Sequence, residues 1–140
     1  MYRKILVAND GSEGAAKALA TAIGLARRLK APLHMVSVEE MPRFPATVDE
    51  VVEEKQEANR RFDRVIERAR RQAKAARVKL ESHVVVGHAV PSIVELIERE
   101  GCDLLVIGFM GHSALYNRLI GGTTDRLVEL APCNVLVVKV

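Results

Sequence analysis

One acid and a set of spaced glycines carry the chemistry open to this chain. The apolar run Leu104 to Ile107 stops at Gly108; Gly111 follows, and nine residues later Gly121 and Gly122 precede Thr123 and Thr124. This reads as strand, open loop and helix. Glycine lets a backbone approach a ligand closely, and the N–H groups at a helix start point toward an anion, so the stretch suits a phosphate. No lysine follows the glycine pair as a P-loop requires, and the spacing is not the tight G-x-G-x-x-G of dinucleotide folds. Gly108 and Gly111 serve equally well as turns after a buried strand, and both readings stand on local pattern. The acid is Asp10, directly after the first apolar run. A carboxylate there can accept hydrogen bonds from ribose hydroxyls, or can cap the helix that follows.

Elements that position these residues alternate along the chain. Lys4 to Ala8 is a short continuous apolar run, as expected of a strand buried on both faces. Asn9-Asp10-Gly11-Ser12 is a polar turn, and Ser12 can cap a helix whose apolar positions recur from Ala15 to Leu29. Leu33 to Val38 is a second strand, interrupted by His34 and Ser37. Met41 to Ala46 holds two prolines and reads as a loop. Thr47 to Glu50 fits a capping box opening a long helix toward Arg77, with Val48, Val51, Val52, Ala58, Phe62, Val65, Ile66, Ala69, Ala73 and Ala76 on its apolar side. Leu80 to Val86 is a third strand. Pro91 suits the first turn of a helix that Gly101 ends. Leu104 to Ile107 is the fourth strand, Thr123 to Leu130 a helix with Leu127, Val128 and Leu130 inward, and Val135 to Val140 a last β-branched strand.

Five strands alternating with helices predict a parallel sheet covered on both faces, a Rossmann-like, doubly wound α/β domain spanning residues 1–140. Ligands in such sheets bind beyond the carboxyl ends of the strands, where the strand order reverses. Asp10 and Gly108 both lie at carboxyl ends and would face one another if the first and fourth strands are neighbours.

Composition excludes several other classes. The 140 residues hold 49% hydrophobic but only 4% aromatic side chains, so the core is aliphatic. No signal-peptide pattern and no stretch of membrane-spanning length are present, which predicts a cytoplasmic protein without membrane association. Cys102 and Cys133 lack metal-site spacing and read as small residues beside core strands. The net charge of +3 is mildly basic. The arginines at 60, 61, 64, 68, 70, 71 and 77 lack aromatic interleaving, so they read as a solvated helix face rather than a nucleic-acid patch. His88 reads as a polar loop residue.

Over its whole length the chain resembles the universal stress protein family. The resemblance rests on KILVANDGSEGAAKAL at the start, GCDLLVIG at the fourth strand, APCNVLVVK at the end, and above all on glycines matching G-x-x-G, nine residues, then G-[ST], the pattern of the family's nucleotide-binding branch. It implies an adenine nucleotide alpha hydrolase-like sandwich with strand order 3-2-1-4-5. It also implies a site in which Asp10 meets the ribose or adenine side with Ala8 nearby, and Val38 contacts adenine. Gly108, Gly111, Gly121, Gly122 and Thr123 would line ribose and phosphates. ATP or AMP, with magnesium or manganese accompanying ATP, and a homodimer through the C-terminal strand follow from the same resemblance. His112 is placed to approach a phosphate, best when protonated, or is simply an exposed loop residue.

Gly122 departs from that pattern, because the binding branch has serine or threonine there. A missing hydroxyl-to-phosphate bond is worth roughly 1.5–3 kcal/mol, about tenfold or more in affinity, unless Thr123 or Thr124 replaces it. Phe109 and Met110 likewise replace residues that are commonly polar. The chain is therefore expected to be a stress-response protein with a regulatory adenine nucleotide, or a dimeric interaction module that has dropped the nucleotide. No nucleophile and base pair is evident, so an enzyme, at most a slow ATPase, is the weakest reading.

Overall fold

A computed structural model describes residues 1–40, 47–109 and 122–139. The order is β1 (Ile5–Ala8), α1 (Glu13–Leu29), β2 (Leu33–Glu40), α2 (Val48–Ala75), β3 (Leu80–Gly87), α3 (Ala89–Glu100), β4 (Leu104–Gly108), α4 (Thr123–Leu130) and β5 (Asn134–Val138). The strands form one parallel sheet in the order β3-β2-β1-β4-β5. The strand order therefore reverses between β1 and β4, as expected.

Alternation along each strand divides the core in two. Ile5, Val7, Leu33, Met35, Leu104 and Val106 face one way and pack against Ala18, Leu19, Ala22 and Ala26 of α1 and Ala69 and Ala73 of α2. Leu6, Val36, Leu105 and Ile107 face the other way, against α3 residues Val90, Ile93, Leu96 and Ile97 and Leu127 of α4. The alanine-rich inner face of α1 lets that helix lie close to the central strands. At the far end of the sheet, Asp103 accepts hydrogen bonds from the backbone N–H groups of Arg3 and Lys4, which ties the start of β1 to β4. Burial pushes that carboxyl's pKa up, but these bonds outweigh it and hold the group below its ordinary value. Burial likewise pushes the Cys102 thiol up to about 11, so at neutral pH it is an apolar filler rather than a nucleophile.

Two sequence expectations fail on burial. The capping box at Thr47 and Glu50 forms, yet Val48, Val51 and Val52 are exposed. At 28 residues α2 is about 42 Å long. An eight-residue strand spans only about 26 Å. The helix therefore overhangs the sheet, and its buried residues begin at Phe62. In α4, Leu127 is buried but Val128 and Leu130 are exposed. The inward face of this two-turn helix continues to Ala131, which packs on the core where Leu130 was expected to. The arginines named above are all exposed, and Arg61 lies 4.7 Å from the centre of the Phe62 ring. Among the described residues no helix is long and apolar enough to cross a membrane.

The two polar residues inside β2 are buried and paired. The Ser37 hydroxyl donates to the Asn9 carbonyl at 2.7 Å. His34 Nδ1 lies 2.9 Å from His83 Nε2, and its Nε2 lies 3.5 Å from a Glu81 carboxylate oxygen. Burial holds the His34 pKa below its ordinary value, against the pull of Glu81, so its ring is neutral at neutral pH.

Candidate functional site

A cavity of about 940 Å³ opens at the carboxyl ends of the strands, across the reversal between β1 and β4. Ala8, Asp10, Val38, Gly108 and Thr123 all line it. Gly122 immediately precedes Thr123 as the N-cap of α4. Gly111, His112 and Gly121, also expected at the site, lie outside the described residues.

The β1 side is built by the polar turn. Asn9, which pattern reading passed over as a turn residue, is buried. Its backbone N–H donates to the Val36 carbonyl at 2.8 Å, and its side-chain oxygen accepts from Gly11 N–H at 3.0 Å. Gly11 takes φ +87, a conformation that suits glycine. Asp10 accepts from Ser12 N–H at 2.9 Å, closing a short Asx-type turn. The helix cap itself is Ser12, whose hydroxyl accepts from Ala15 N–H at 3.2 Å. The expected alternative of Asp10 as the helix cap therefore fails: Asp10 closes the turn before the cap through one oxygen and borders the cavity.

The β4 side is governed by glycine in two ways. A methyl group on Gly108 would fall inside the backbone of Gly14 at the start of α1, so this glycine is needed for helix and strand to meet. A methyl group on Gly122 would meet none of the described residues within 4 Å, and the residue has ordinary φ and ψ of −64 and 172. Gly122, having no side chain, supplies no cap to α4. The Thr124 hydroxyl reaches the Gly108 carbonyl at 3.5 Å, a weak contact that nevertheless turns it toward the strand. Thr123, which is exposed at the cavity, is the better placed of the two hydroxyls to replace the missing serine.

The third wall could not be foreseen from local pattern. The overhanging part of α2 contributes Glu53, Glu54, Glu57, Lys55 and Arg61, and the end of β2 contributes Glu39 and Glu40. With Asp10, the described residues that line the cavity include six carboxylates and two cations. Glu40 also accepts from Ala89 N–H at 3.3 Å and so helps to cap α3. The base of the cavity is apolar, with Val36, Val38, Ile93, Ile107 and Leu127. An apolar floor, a few placed polar groups and a helix start make a pocket for a flat apolar ring joined to a polar or anionic group.

A parallel sheet with a pocket at its reversal point defines a doubly wound, Rossmann-like α/β protein. The universal stress protein family model matches residues 1–139, and the chain belongs to that family. It is similar to a universal stress protein of Methanocaldococcus jannaschii, 30% identical over 99% of this chain and 83% of that one. Its fold matches the universal stress protein UspA from Lactobacillus plantarum with a TM-score of 0.82, at 24% identity over 98% and 97% of the two chains. It also matches a universal stress protein crystallised in complex with cAMP, with a TM-score of 0.79, at 27% identity over 98% and 97% of the two chains.

Proposed function

We propose that the chain binds an adenine nucleotide in this cavity as a regulatory ligand of a stress response. The observation that carries the reading is the convergence of Ala8, Asp10, Val38, Gly108 and Thr123, from four separate segments, on one pocket beside the start of α4. The similar protein solved with cAMP supports the same ligand class. In this reading the base lies on the apolar floor by Val38, Asp10 meets the ribose, and Gly122 and Thr123 meet phosphate. Carboxylates around the mouth repel a bare triphosphate, so ATP binds with magnesium or manganese, whereas AMP needs no metal. The protein works in the cytoplasm as a homodimer through β5, an edge strand whose Leu136 is exposed.

The second reading is an interaction module that binds no nucleotide. Gly122 and the acidic lining favour it. One experiment separates the two: release and identify any nucleotide from the denatured protein, then titrate ATP with and without magnesium, AMP and GTP into stripped protein by calorimetry. The regulatory reading expects adenine nucleotide bound by the native chain, loss of binding in Asp10→Ala, and binding about tenfold tighter in Gly122→Ser. Absence of binding in the native chain with recovery in Gly122→Ser would establish the interaction module instead.

A further inference from the structure

Donor groups of a different kind gather at the other end of the sheet. His34 is the second residue of β2 and pairs in register with Glu81 of β3. His83 lies two residues beyond Glu81, so strand alternation puts all three side chains on one face. One donor atom from each lies within 4.8 Å of the other two. His34 is buried, His83 is half-buried, and Glu81 is exposed. The imidazole planes are within 9° of parallel with centroids 5.2 Å apart. With nitrogens only 2.9 Å apart, the rings lie end to end in nearly one plane, hydrogen-bonded through their edges rather than stacked by their faces.

We propose that His34, Glu81 and His83 form a binding site for one transition-metal dication of the zinc, copper or nickel type, at the β3 edge and remote from the nucleotide cavity. Two neutral imidazoles and a carboxylate are a donor set that such ions prefer and that magnesium and calcium do not. Zinc–nitrogen bonds of about 2.0–2.1 Å at a tetrahedral angle set the two nitrogens roughly 3.3 Å apart, so the pair must open by a few tenths of an ångström and tilt out of line, and Glu81, now against Nε2 of His34, must swing toward its Nδ1 side. His34 is held by the core, while His83 and Glu81 sit on an edge strand with room to move. The hydrogen bonds that hold the trio together without an ion are the ones the ion replaces. Solvent reaches the site past Glu81, so water completes the coordination. The ion would tie β3 to β2 beyond their backbone ladder. The inference does not rest on nucleotide binding.

The test uses the full chain without an affinity tag, stripped by chelator and titrated with Co²⁺ by visible absorption, with Zn²⁺ and Mg²⁺ as competitors. The expected result is one Co²⁺ per chain with the d–d bands of a low-coordinate nitrogen and oxygen site, displaced by Zn²⁺ and untouched by Mg²⁺. Glu81→Gln and His83→Gln should each weaken binding by at least about tenfold with unchanged circular dichroism, while Asp10→Ala leaves it intact. Absence of binding at micromolar Co²⁺, or affinity unchanged in both the Glu81 and His83 variants, would overturn the site and leave the trio as a hydrogen-bonded core feature.

Discussion

Two helices begin at the same cavity, and they begin differently. At the start of α1 the protein uses its own side chains: Ser12 caps the helix, Asp10 and Asn9 close the turn before it, and Gly108 lets the helix press against β4. At the start of α4 Gly122 offers no cap, and a methyl group on it would meet none of the described residues within 4 Å. The first is finished architecture, its polar groups satisfied within the fold. The second has no side-chain cap from its own N-cap residue. Two glycines of one stretch thus do unlike work: Gly108 is demanded by packing, and Gly122 is demanded by nothing among the described residues.

The largest expected effect tests that contrast directly. Gly108→Ala forces a methyl group into the Gly14 backbone, and neither partner is a flexible side chain. Overpacking of this kind costs roughly 3 kcal/mol, whereas Gly122→Ala should change stability by less than about 0.5 kcal/mol. Urea denaturation of both variants reads the difference. Equal losses would show that α4 is as tightly built as α1.

Next in size is Asn9→Ala. It removes the acceptor for Gly11 N–H and the donor to the Met35 sulfur at 3.5 Å, inside a buried turn. A loss of about 1–2 kcal/mol is expected, read by the same denaturation. An unchanged midpoint would mean that water replaces Asn9 and that the α1 side is no more closed than the other.

Smaller again is the exchange of caps. Ser12→Ala should cost about 1 kcal/mol, while Gly122→Ser should gain only a few tenths, since glycine is itself a tolerable N-cap. Thermal melting of the two variants without nucleotide compares the helix starts. A gain at Gly122 as large as the loss at Ser12 would show that the absent serine had a structural role.

The last prediction sets the pH range over which these comparisons hold. Asp103 has a folded pKa below its unfolded value, so its contribution is fully present above the unfolded pKa of about 3.9 and is lost as pH falls through the folded one. Asp103→Asn should flatten that acid limb of stability against pH. Differences among the Gly108, Asn9 and Ser12 variants should persist above it, because none of them touches this carboxylate. An acid limb unchanged in Asp103→Asn would assign it to other groups.

The sequence by itself determined the order and kind of every described element. The continuous apolar strands, the Ser12 and Thr47 caps and the stop at Gly101 are local signals, each set by propensity and hydrogen bonding within a few residues. Strand order and the placing of Asp10 opposite Gly108 came with the family resemblance, and the sheet bears both out. What local pattern could not reach was everything set by distance in the fold. Whether Val48 or Leu130 is covered depends on how far a helix outruns its sheet. The need for glycine at 108 arises from Gly14, far away in the chain. The acidic wall of the cavity exists because α2 overhangs β2. His34 looked like a blemish in an apolar strand until strand pairing set it beside Glu81 and His83. Such relations are decided only by tertiary structure, because burial and close approach belong to pairs of segments and are written in neither segment alone.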